Sequence, residues 1–168
     1  MPVFLLCAVL LLSCDKQSPP SVFDGRPETA LVQLDRDDEE IIKIAAEARD
    51  TLPVFFRLLT GADAAKDSFY IKYPFEADAG SGVNTEQLWL TGITFKDGKY
   101  CGILAGTPVN LSGMKKGDTV IFNTEEITDW MYVSNGKISG GRSVRYLLER
   151  IPEDQRNGEQ RKILQMFE

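Results

Sequence analysis

The chain has 168 residues, of which 43% are apolar and 26% charged, which is enough for one ordinary hydrophobic core and too few for two. Its net charge of -6 opposes binding to a phosphate backbone, so we expect no nucleic-acid partner. The sequence contains no histidine, which removes the usual general base and the commonest nitrogen ligand of metal ions; we therefore expect no cofactor, no metal ion and no serine or cysteine triad of the usual kind.

The N-terminus carries an export pattern. Residues 3–12 are all apolar, a run of signal-peptide length that falls well short of the roughly 20 residues of a membrane-spanning helix. The run ends in Leu11-Leu12-Ser13-Cys14, which resembles the lipobox of bacterial lipoproteins. We therefore expect an exported lipoprotein, in which Cys14 carries the lipid anchor and becomes the first residue of the mature chain.

This pattern divides the N-terminal region into a lipoprotein signal peptide over residues 1–13 and a tether over residues 14–36, whose first part is polar and rich in proline. Asp15 follows the cysteine directly and resembles the inner-membrane retention signal of enteric bacteria. In such a host the protein is expected on the periplasmic face of the inner membrane. No lysine or arginine precedes Val3, and the alternative is that residues 3–12 form a buried strand or helix.

Two helices are predicted at the start of the folded part. Acidic residues at positions 37–40 suit the first turn of a helix, and apolar residues follow at helical spacing. This pattern predicts a helix from about Asp38 to Asp50. Thr51 and Pro53 then favour a new helix start, and Gly61 a C-terminal stop, so the helix either kinks at Pro53 or restarts there.

A series of short strands follows. The β-prone runs cover residues 68–75, 86–95, 100–104, 119–122, 130–133 and 137–139. Asp97-Gly98 and Asn135-Gly136 separate two pairs of these runs and predict tight antiparallel hairpins. The lysine- and glycine-rich segment 111–118 predicts a turn before the fourth run. Cys101 lies within the third run, and we expect it to be a buried, inert thiol.

Ser143 to Arg150 returns to a helical pattern, and residues 152–168 form a tail in which Ile163 and its apolar neighbours suit a short docking helix. The folded domain is expected over residues 37–151. The predicted fold class is α+β. An N-terminal helix or helix pair packs on a strongly bent antiparallel sheet or partial barrel, which a C-terminal helix closes.

A family resemblance accompanies this pattern from about Glu39 to Arg150. It rests on Ala46-Glu47-Ala48-Arg49, Leu52-Pro53, the strand from Phe69 to Phe75, Gly117-Asp118, Phe122, Ile127, Asp129-Trp130-Met131-Tyr132-Val133, Asn135-Gly136-Lys137, Gly140-Gly141 and Arg145. The set resembles the signature of the YegJ-like bacterial proteins, which carry the domain of unknown function 2314. The resemblance implies a small single-domain protein and no particular activity.

Trp130 and Tyr132 are the first candidate contact residues. They alternate with Met131 and Val133, so one face of the strand carries two large aromatic side chains. If this face is exposed, it is a platform for a ligand or partner. The alternative is a central strand that is buried on both faces.

Gly140, Gly141, Arg142 and Ser143 stand where the last helix is expected to begin. Free backbone N–H groups there, with Arg142 and Ser143, are suited to receive a carboxylate or a phosphate. A glycine turn followed by a serine N-cap needs the same residues and is the alternative.

Glu125, Glu126 and Asp129 place three carboxylates just before the Trp130 strand. They are sufficient in principle for acid–base chemistry or a hard cation, although their spacing matches no calcium loop. A turn with a solvated acidic face is one alternative. Another is ion pairing with Arg142 and Arg145, which would tie the last helix to the hairpin.

These residues favour a non-enzymatic module that is tethered to the bacterial envelope and binds a protein, peptide or other envelope component through the Trp130 hairpin region. One alternative is a hydrolase of envelope material, in which a carboxylate and Arg142 converge in a deep cleft. A second is an inhibitor or immunity-like protein, whose acidic charge assists association with a basic enzyme. The binding module instead predicts a shallow, exposed aromatic surface.

Overall fold

The computed structural model describes residues 38–61 and 68–167. The expected signal peptide, the tether and Cys14 lie outside these residues. None of the helices within the described ranges has the length and apolar character of a membrane-spanning segment.

Two consecutive helices open the folded part, α1 (Glu39–Asp50) and α2 (Leu52–Gly61). The Asp38 carboxylate caps α1 by accepting a hydrogen bond from the backbone N–H of Glu40 at 3.0 Å. Thr51 separates the helices, and its carbonyl accepts the first hydrogen bond of α2 from Val54. The chain therefore restarts after Thr51, as the threonine and proline pattern allowed.

All six predicted strands are present: β1 (Ser68–Glu76), β2 (Thr85–Lys96), β3 (Lys99–Leu104), β4 (Thr119–Phe122), β5 (Asp129–Ser134) and β6 (Lys137–Gly140). They form one antiparallel sheet in the order β4-β3-β2-β1-β5-β6. This sheet is open, because β4 and β6 stand at opposite edges and do not pair with each other.

Both predicted hairpins are tight. Asp97 and Gly98 have φ values of 52° and 76°, and Asn135 and Gly136 have values of 49° and 75°. A type I′ turn requires positive φ at both of its central residues, and this turn is favoured in two-residue hairpins because it matches the twist of the paired strands. A bulge between Thr91 and Thr94 shifts the register of β2 against β3 and bends this side of the sheet.

The sheet separates two apolar layers. On the face called here the front, α1 and α2 bury Ala48 and Phe55 against the strands. On the back, the remaining helices α3 (Arg142–Arg150) and α4 (Gly158–Met166) bury Leu148 and Ile163. Side chains of a strand alternate between the two faces. The result is the expected α+β fold, with helices on both sides of an antiparallel sheet.

The start of α3 differs from the prediction. The helix begins at Arg142, and its N-cap is Gly141 in the left-handed region at φ 62°, with no side-chain cap. Gly140 also has a positive φ of 76°, so the two glycines together turn the chain from β6 into the helix. Ser143 is thus not the N-cap, because its hydroxyl is directed toward the sheet.

Candidate functional site

Three polar side chains are buried where α3 meets the back of the sheet. Lys72, Asp129 and Ser143 have exposed fractions of 5%, 0% and 4%. Lys72 of β1 stands directly opposite Asp129 of β5 in the strand pairing, which places the two side chains on the same face. Ser143, in the first turn of α3, completes the group, which we call the buried polar cluster.

The hydrogen bonds of the cluster converge on the Asp129 carboxylate. Its Oδ2 accepts from both the backbone N–H and the hydroxyl of Ser143, at 2.8 and 2.7 Å. Its Oδ1 accepts from the backbone N–H of Trp130 at 2.8 Å. The Lys72 ammonium donates to the Ser143 hydroxyl oxygen at 3.2 Å. The Ser143 hydroxyl therefore donates a hydrogen bond to the Asp129 carboxylate and accepts one from the Lys72 ammonium.

Burial and charge act in opposite directions on Asp129. Loss of water raises the pKa of this carboxyl above its ordinary value of 3.8, although the hydrogen bonds from Ser143 and the positive charge of Lys72 act to lower it. The Lys72 ammonium also lies 5.3 Å from the ring centre of Trp89 on the neighbouring strand, within the range of a cation–π contact. Both charges thus have compensating contacts inside the protein.

This geometry settles which group occupies the expected anion site at residues 140–143. The helix start does receive a carboxylate there, and that carboxylate is the chain's own Asp129. The expectation that Asp129 belongs to a solvated acidic face is wrong, because this side chain is wholly buried. The cluster therefore links the helix to the sheet and does not present the Ser143 hydroxyl to an external substrate.

Trp130 and Tyr132 do not form an exposed platform. Trp130 is buried on the front of the sheet, where its ring centre lies 5.7 Å from that of Phe55 and its Nε1 donates to the Thr51 hydroxyl at 2.9 Å. Tyr132 is half-buried beside Phe69, with ring centres 4.7 Å apart. The strand is buried on both faces because it lies between β1 and β6, with helices on each side.

Arg142 and Arg145 of α3 form ion pairs with groups other than those expected. The Nε of Arg142 lies 3.5 Å from the Glu47 carboxylate of α1, and its guanidinium lies 5.6 Å from the Trp130 ring centre. Arg145 pairs with Glu149 one turn later at 2.8 Å. Neither of these ion pairs involves the acidic segment before β5, because α3 directs Arg142 toward α1 and Arg145 along its own surface.

The other two carboxylates of that segment face solvent as expected. Glu125 and Glu126 lie in a single 3₁₀ turn, Thr124–Glu126, and both are exposed. Glu126 accepts a hydrogen bond from the Tyr73 hydroxyl. Burial and this bond raise the pKa of Tyr73. In the part of the chain that the structure describes, no group of three acidic or cysteine side chains is arranged to hold a metal ion.

An apolar surface lies on the back of the sheet, on the strands farthest from α3. Ile103 and Ile121 have exposed fractions of 41% and 61%, and Ile121 stands opposite Cys101 in the β3–β4 pairing. We call these three side chains the outer strand face. Cys101 is only half-buried, which corrects the expectation of a buried thiol, because it points to this face and not into the core.

Sequence reasoning missed both the lysine of the cluster and the outer strand face. Lys72 was visible as one charged residue within the apolar run Phe69 to Phe75, and a buried cation requires a partner. The outer strand face left less trace, because apolar residues occur in β3 at both odd and even positions. Periodicity could not tell which of the two sets faces the core.

Comparison with known proteins gives a family and two relatives. The model of the family described as "Uncharacterized protein conserved in bacteria (DUF2314)" matches residues 38–163. The uncharacterized protein YegJ of Escherichia coli K12 is 32% identical over 108 residues, which cover 64% of this chain and 67% of that protein. A protein of Neisseria meningitidis serogroup B, provisionally named an ankyrin repeat protein, is 29% identical over 134 residues, or 77% of this chain.

The chain spans only about half of the Neisseria protein, 53% of its length. No solved structure matches the chain.

Proposed function

The chain belongs to the DUF2314 family, and we propose that it is a non-catalytic binding domain, held at the bacterial envelope by a lipid on Cys14, which binds a protein partner through the outer strand face. The exposure of Ile103 and Ile121 on adjacent strands carries this proposal. Neighbouring exposed aliphatic side chains on a sheet are typical of contact surfaces.

The buried polar cluster supports binding over catalysis. A hydrolase needs a carboxylate or nucleophile that substrate can reach, with a charged residue converging on it. Here Asp129 and Ser143 are buried and hydrogen-bonded to each other, and Arg142 pairs with Glu47 outside the cluster. We therefore assign the proposed binding surface to β3 and β4 and not to the Trp130 hairpin.

The lipid anchor is tested by intact-mass analysis of the protein from detergent-solubilised membranes of its native host. The expected mature mass begins at Cys14 and includes a diacylglycerol group. A Cys14→Ala variant is expected to lose this mass and to leave the membrane fraction. An unmodified full-length mass in the soluble fraction of the parent chain would contradict the anchor.

The binding surface is tested by placing a photo-reactive amino acid at position 103 of the full chain in its host. Position 42 is the matched control, because Ile42 is also an exposed isoleucine, with an exposed fraction of 57%, but lies on α1. We expect a discrete protein adduct at position 103, none at position 42, and loss of the adduct on Ile121→Asp. Equal labelling at both positions would refute the surface.

A further inference from the structure

The outer edge of β4 carries backbone groups that pair with no other strand in the part of the chain that the structure describes. Among the described residues, β4 pairs on one side only, with β3. The Leu104 N–H donates to the Asp118 carbonyl at 2.9 Å, which sets the alternation of hydrogen-bonded positions along this pair of strands. Because that alternation has a period of two, the backbone N–H and C=O groups of Thr119 and Ile121 point away from β3.

Charges of opposite sign flank this edge. Lys115 and Lys116 precede β4, and Glu125 and Glu126 follow it, and all four residues are exposed. In an antiparallel pair the start of one strand lies beside the end of the other. Two copies of β4 that pair in this way therefore bring the lysines of each copy next to the glutamates of the other.

We propose that β4 pairs with β4 of a second copy of this chain, antiparallel and with a two-fold axis at Ile121. In this register Thr119 of each copy lies opposite Asn123 of the other, and the two Ile121 side chains meet at the axis. The two six-stranded sheets become one continuous sheet. Their outer strand faces join, so the dimer doubles the apolar surface to which the proposed function assigns partner binding.

The edge is self-complementary, and this selects a second copy as its occupant. A two-fold contact uses the same surface on both sides, so each residue must suit its own symmetry mate. Ile121 meets an identical apolar side chain, whereas lysines meet glutamates. Parallel pairing would place lysine beside lysine and is disfavoured. Proteins normally protect open sheet edges, and pairing between copies is one way to cover this one.

Disulfide formation in native membranes tests the dimer with the full chain. Ile121→Cys is made with Cys101→Ala, so that the new thiol cannot react with its cross-strand neighbour. Directly opposite residues of a hydrogen-bonded pair have Cα atoms about 5.5 Å apart, within the range that a disulfide spans. We expect a disulfide-linked dimer containing both forms when two differently tagged copies are co-expressed.

Two controls accompany this variant. Thr94→Cys in the same background is also exposed, but it lies on β2, two strands away from the edge, and is expected to give no dimer. The Cys101→Ala parent measures any linkage through cysteines outside the described residues. A linked dimer at position 121 that is no more abundant than in these controls would overturn the proposal.

Charge reversal supplies a second test. Lys116→Glu or Glu125→Lys alone is expected to reduce the yield of the Ile121→Cys dimer by about threefold, since each replaces attraction across the axis with repulsion. The two reversals together are expected to restore the yield. Failure of the combined variant to recover, after each single reversal has reduced the yield, would contradict this register.

The outcomes separate self-pairing from the proposed function. If the photo-adduct at position 103 forms but position 121 gives no linked dimer, partner binding stands and self-pairing is wrong. If the dimer forms and no adduct is found, self-pairing stands alone. A monomer in which the Ile121 amide exchanges slowly with solvent would show that another segment covers β4, and would also overturn self-pairing.

Discussion

Removal of the Asp129 carboxylate is expected to be among the most destabilising single changes in the chain. The carboxylate accepts hydrogen bonds from the Ser143 N–H, the Ser143 hydroxyl and the Trp130 N–H, and its charge acts on Lys72. An Asp129→Ala variant leaves these three donors without their acceptor and removes the negative charge that compensates the buried Lys72 ammonium. Loss of one member of a buried charge pair costs about 3–5 kcal/mol, a large part of the roughly 5–15 kcal/mol by which domains are stable.

The assay is urea unfolding at neutral pH, followed by the fluorescence of the buried tryptophans, with the free energy of unfolding extrapolated to water. Ser143→Ala should cost less, about 1–3 kcal/mol, because the backbone N–H of that residue still reaches the carboxylate. Glu125→Ala is the control on the exposed turn and should stay within about 0.5 kcal/mol of the parent. A loss below about 1 kcal/mol for Asp129→Ala would show that the cluster does not hold α3 on the sheet.

Three further predictions follow from the same region. Gly140→Ala should destabilise by several times as much as Gly98→Ala in urea unfolding. Both glycines have φ 76°, but a Cβ at Gly140 would collide with the Trp130 carbonyl and lie 2.7 Å from its ring, while Gly98 has open space; equal losses would show that backbone strain alone decides. Folding favours the protonated form of Asp129, because the pKa of this carboxyl is raised in the folded state. The free energy of unfolding of the parent relative to Asp129→Asn should therefore be greatest below pH 3.8 and fall as the pH rises through the folded-state pKa. A difference between the two proteins that grows with pH would contradict this prediction. Trp130→Phe should lose about 1 kcal/mol with the hydrogen bond to Thr51, and no change in the unfolding midpoint would refute that contact.

Local structure could be predicted because its causes are local. The hairpins at Asp97-Gly98 and Asn135-Gly136 follow from residues that tolerate positive φ, and the restart at Thr51 follows from the proline in the first turn of α2. Strand positions followed from β-prone runs between these turns. The family was recognisable for the same reason, because its signature is a set of residues at defined positions along the chain.

The candidate site was harder to predict from the sequence, because its residues are far apart in the chain. Asp129 and Arg142 were both identified as candidates, but whether they meet depends on how α3 lies against the sheet. The structure directs Arg142 to Glu47 and brings Ser143 and Lys72 to Asp129. Lys72 and Ser143 are 71 positions apart, and no short-range pattern connects them.

The sequence by itself determined the α+β class, the order and limits of most helices and strands, and the family. Only the tertiary structure decided which charges are buried together, that Trp130 lies in the core, and that Ile103 and Ile121 face outward. The reason is physical. Backbone preferences and turns depend on neighbouring residues, whereas burial depends on which helix covers which part of the sheet, and that is settled by packing between elements far apart in the chain.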